Sequence, residues 1–67
     1  MKEITCVDGL SAFINKTVII KSKQNPIGEK WNVRVFKDGR IGFECPEKNA
    51  FMSWMYARES GYKIFIE

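Results

Sequence analysis

A small α+β domain is what these 67 residues predict: an antiparallel or mixed sheet of four to five strands, with one main helix packed on one face. Three observations carry that expectation. Residues 31–45, WNVRVFKDGRIGFEC, place apolar and polar side chains alternately around a turn. Residues 47–60, EKNAFMSWMYARES, hold no glycine or proline and run into Gly61, a natural helix stop. Residues 62–67, YKIFIE, alternate again and predict a terminal strand.

The chain opens with EITCV (3–7), β-type residues that predict a short strand. Asp8-Gly9 ends the run, and Leu10, Phe13 and Ile14 recur at the spacing of one or two helical turns. TVIIKSK (17–23) is β-branched and apolar at its start, so a strand is expected, with Val18, Ile20 and Ser22 inward and Lys21 and Lys23 outward. QNPIGE (24–29) is a loop in which Asn25-Pro26-Ile27-Gly28 suits a type I turn.

Parity settles the hairpin. With Asp38-Gly39 as a two-residue loop, both faces of the ribbon would mix apolar and polar residues. With Lys37-Asp38-Gly39 as the loop and Gly39 left-handed, Val35 faces Ile41, Val33 faces Phe43 and Trp31 faces Cys45. The opposite face then carries Phe36–Arg40, Arg34–Gly42 and Asn32–Glu44. A one-residue slip moves every side chain across the sheet, so the three-residue loop is the expected register. Pro46 can open a helix at its first position with Glu47 near the positive end of the dipole, and Gly61 can close it. The last strand is expected to return antiparallel beside residues 31–37.

At 67 residues there is room for one domain, 1–67, and one modest core. Composition, 45% hydrophobic and 28% charged, is that of a globular chain. Apolar runs are far shorter than the ~20 residues a membrane helix needs. The opening Met1-Lys2-Glu3-Ile4 has no apolar signal core, so the cytoplasm is the expected location. Cys6 and Cys45, set among β-type residues, are expected as buried free thiols, with a disulfide between them left open.

No histidine is present, nor a Cys–His or Ser–His pair, nor a glycine-rich phosphate loop. Two cysteines do not complete a structural zinc site. The expectation is a binding module, with no catalytic residue, metal or cofactor. The formal charge of +3 is uneven: residues 1–40 hold eight Lys or Arg against four acids, residues 41–67 three against four.

Two surfaces invite a partner. On a helix over 47–60, Ala50, Trp54 and Ala57 share one stripe with Phe51 on its flank, while Met52, Met55 and Tyr56 group on another side. Methionine and tyrosine suit an adaptable protein-binding patch, and a homodimer through that side satisfies the same physics. The first short helix could instead cover these residues as core. The second surface is the outer sheet face, where Lys21, Lys23, Arg34, Phe36 and Arg40 predict an alternative, nucleic-acid contact.

The stretch from Trp31 onward, a hairpin followed by a helix with Trp54 and Tyr56 and then Gly61, Tyr62 and Ile64, resembles small phage-encoded proteins that disable a host factor, such as inhibitors of bacterial RNA polymerase. What the resemblance implies is a compact inhibitor that acts by occupying another molecule's surface. It transfers no binding residues.

Overall fold

Alternating side chains dictate most of this molecule, more of it than the sequence suggests. The computed structural model describes residues 1–66. Along the chain come β1 (Lys2–Ile4), α1 (Val7–Ser11), β2 (Thr17–Lys21), β3 (Glu29–Val35), β4 (Ile41–Cys45), a single 3-10 turn (Pro46–Lys48), β5 (Ala50–Ser53), α2 (Trp54–Glu59) and β6 (Lys63–Ile66). The strands form one antiparallel sheet in the order β1-β6-β2-β3-β4-β5. Among the described residues the α+β class therefore holds, but with six strands rather than four or five and with two short helices in place of one main helix.

The hairpin register is the expected one. Gly39 takes φ +87°, a region that side chains with a Cβ rarely enter. Phe36 N–H donates to Arg40 C=O at 2.8 Å, and Gly39 N–H donates to Phe36 C=O at 2.9 Å. Val35 then faces Ile41, Val33 faces Phe43, Arg34 faces Gly42 and Asn32 faces Glu44.

The helix expected over 47–60 is the main correction. Pro46 does open a turn, but Asn49 adopts φ 52°, ψ 45°, a left-handed conformation that ends it at once. The chain reverses, so 46–49 becomes a hairpin loop and Ala50 pairs back onto Cys45, Phe51 onto Glu44 and Met52 onto Phe43. Within AFMS the side-chain period is two. Ala50 and Met52 point to the core face and Phe51 points away from it.

Helix α2 starts only at Trp54. The Ser53 hydroxyl accepts the Tyr56 N–H at 3.0 Å, an N-cap bond. Its end follows expectation: Gly61 N–H reaches Arg58 C=O and Tyr62 N–H reaches Ala57 C=O, the paired bonds of a Schellman motif.

The terminal strand also lies elsewhere than expected. Consecutive hairpins fill both flanks of β3, leaving the free edge of β2. Strand β6 takes that edge and inserts between β2 and β1. At the chain start, β1 covers 2–4 rather than 3–7, because Val7 already begins α1. Strand β2 stops at Lys21, since Ser22 and Asn25 exchange backbone bonds in a turn and leave Lys23 outside the strand. Glu67, expected in the last strand, lies outside the described residues.

Both helices lie on one face. Beneath them Ile4, Val18, Ile20, Trp31, Val33, Phe43, Cys45, Met52 and Ile64 join Leu10 and Ala57 in one buried cluster. The Cα radius of gyration, 10.8 Å, matches the value of about 10.9 Å for one compact unit of this length. Cys45 is buried as expected, but Cys6, just before α1, is exposed; both are free thiols.

Gly42 marks a close approach on the other face. A Cβ there would sit 2.5 Å from Phe36 Cε2 and 2.6 Å from the Met52 carbonyl. Phe36 thus lies over a glycine and covers its backbone. Gly42→Ala is expected to cost about 1–3 kcal/mol through overpacking, read as a lower urea midpoint at an unchanged slope.

Candidate functional site

The sheet divides the molecule into a helical side and an uncovered side, and each holds one of the surfaces expected from sequence. On the helical side, Ala57 is fully buried beneath α2 while Met55 and Tyr56 are 68% and 57% exposed. At 100° per residue these two straddle the outward side of the helix. Met55 borders a groove of about 400 Å³ between α1 and the hairpin, rimmed by Val7 and Asp8 and floored by Ile41 and Trp54. Trp54 is held from below by Phe43, ring centroids 6.5 Å apart, and from the side by the Arg58 guanidinium at 5.6 Å.

On the opposite flank of α2, Tyr56 meets Tyr62 edge to face at 6.4 Å. It borders a smaller recess of about 260 Å³ with Trp31 and Lys48, and the Lys48 ammonium is paired with Glu29. Met52 lines that recess only from within the core. It is 8% exposed and packed in the core, because it belongs to β5 and not to a helix. Of the three anchors expected from sequence, the fold brings Met55 and Tyr56 onto one helix and removes Met52.

The uncovered side separates the five residues expected for nucleic acid. Arg34 Nε meets Glu44 Oε1 at 3.1 Å, and Arg34 Nη1 donates to Asn15 Oδ1 at 2.9 Å. Arg40 Nε meets Asp38 Oδ2 at 2.6 Å, and the Arg40 backbone N–H donates to Asp38 Oδ1 at 3.1 Å. That backbone bond, with the guanidinium beside it, holds the Asp38 carboxyl below its ordinary value. Both arginines therefore serve the hairpin. Phe36 covers Gly42 and meets Phe51 edge to face at 6.4 Å, so it too has a structural role.

Lys21 and Lys23 keep different company. Lys21 sits directly opposite Lys63 on the β2–β6 ladder, and its ammonium lies 4.9 Å from the centroid of the Phe65 ring. With Lys23 and Pro26 these residues line an open concavity of about 470 Å³. Sequence reading missed Lys63 and Phe65, although the alternation of YKIFIE puts both on one face. It also missed Val7 at the rim and Ile41 at the floor of the Met55 groove, which only the tertiary fold brings together.

Among the described residues no polar or charged side chain is buried. Comparison with protein-family models, curated proteins and solved structures gives no match.

Proposed function

We propose that this chain is a non-enzymatic binding module that docks on a protein partner through the outer side of α2, and that it inhibits or regulates that partner by occupying its surface. The observation that carries the reading is the exposure of Met55 beside an apolar groove. A short helix in so small a domain would ordinarily show charged residues there; this one shows a methionine, a tyrosine and a groove floored by Trp54 and Ile41. The groove fits an apolar side chain of the partner, with Asp8 at its rim supplying a polar contact. Tyr56, on the other flank, widens the contact across the helix. Steric action is also what the resemblance to phage inhibitors implies, and such a module would act in the cytoplasm.

Affinity capture from nuclease-treated lysate tests this, comparing the unaltered chain with Met55→Glu and Tyr56→Ala. Both variants are expected to keep their circular dichroism spectrum and melting temperature while losing the captured protein. Retention of the same protein by both variants would sink the reading, and so would loss of fold in both. A shift from dimer to monomer in sedimentation, with no captured protein lost, would identify the partner as a second copy of the chain.

A further inference from the structure

Lys21 and Lys63 face each other across an antiparallel ladder, an arrangement that repels. Among the described residues neither they nor Lys23 has a carboxylate partner, although three other cations of this chain do. Lys30 stands on the same face one step along, opposite Ile19, which in turn is opposite Phe65. Among the described residues the acid closest in register is Glu3, opposite Phe65 on β1, across the ring from the ladder of lysines, and Glu59 borders a recess with Lys23. Half of an uncovered sheet face thus combines unneutralised lysines with one half-exposed aromatic ring.

We propose that this half-face binds single-stranded nucleic acid, the lysines taking phosphates and Phe65 stacking one base. The concavity of about 470 Å³ bounded by Lys21, Lys23, Pro26, Lys63 and Phe65 is larger than a lone phosphate requires. In the free chain the Lys21 ammonium covers the ring. A cation over a partly exposed ring is held more weakly than a stacked base. Lys21 can therefore swing to a phosphate and yield the ring to the base. A base inside a duplex has no free face to offer, so the site favours unpaired strands. The central rows of the sheet take no part, since Thr17 with Asn32 and Arg34 with Glu44 satisfy one another there. This site lies on the opposite side of the sheet from the Met55 groove and does not rest on it.

Fluorescence anisotropy with a labelled oligothymidine is the test. Three phosphate contacts give a log–log salt slope near −2, so affinity is expected to fall roughly fifteenfold between about 50 and 200 mM salt. Phe65→Leu is expected to weaken binding roughly five- to hundredfold. Lys63→Gln, at an exposed position that leaves packing intact, is expected to reduce the slope by about 0.7. Met55→Glu should bind the strand normally, which separates this site from the protein-docking surface. The proposal is overturned if no binding is seen at low salt, or if the duplex of the same sequence binds as tightly. Equal competition by polyglutamate would also overturn it, pointing instead to an acidic protein segment.

Discussion

Phe43→Ala is expected to leave the chain largely unfolded at 25 °C. Phe43 is fully buried at the middle of the sheet, opposite Val33 on one side and Met52 on the other, with Trp54 of α2 packed on its ring. Truncating a buried phenylalanine costs about 3–5 kcal/mol, part transfer and part cavity. A domain of this length has only about 3–10 kcal/mol of total stability. Among the described residues all buried apolar side chains belong to one cluster, so no second core absorbs the loss. Urea unfolding followed by circular dichroism reads the outcome. A loss below about 1 kcal/mol would mean that residue 43 is not a core position, and the hairpin register would fall with it.

That register was the most legible part of the sequence, and the reason is arithmetic. Six apolar residues share a face in one pairing and scatter in the other, so burial alone selects the loop and puts Gly39 where a left-handed residue is needed. The segment 47–60 was illegible for the complementary reason. Ala50, Trp54 and Ala57 happen to recur at helical spacing, and no glycine or proline interrupts them. The break is Asn49, and asparagine in the left-handed region is a possibility that a sequence shows only in hindsight. Ser53 was the real helix signal: a cap placed three residues before Tyr56, whose amide it holds.

The candidate sites follow the same division. Arg34 and Arg40 are each tied to a carboxylate that lies close by in the register or the chain: Glu44 shares the face of Arg34, and only Gly39 separates Asp38 from Arg40. Lys63 and Phe65 were hidden by strand order. Alternation placed them on one face, but only the insertion of β6 beside β2 brings them to Lys21. Pairing between elements distant in sequence leaves little mark on either element, which is why the surface it creates went unread.

Met52→Glu and Met55→Glu, three residues apart, should give opposite results. Met52 is 8% exposed and lies on the core face of β5, opposite Phe43. A glutamate there must either carry a charge into apolar surroundings or hold its proton at neutral pH, and either course costs several kcal/mol. In a domain with so little to spare, Met52→Glu is expected to unfold the chain, with stability partly recovered in acid as the carboxyl protonates. Met55, 68% exposed on α2, should tolerate the same change within about 0.5 kcal/mol. On one continuous helix over 47–60 the two positions would share a side, and the two variants would behave alike. Thermal melts of the pair therefore distinguish a strand at 50–53 from a helix without any knowledge of the partner. Equal destabilisation would return both methionines to the core and dissolve the docking surface; equal tolerance would restore Met52 to it and remove β5 from the sheet.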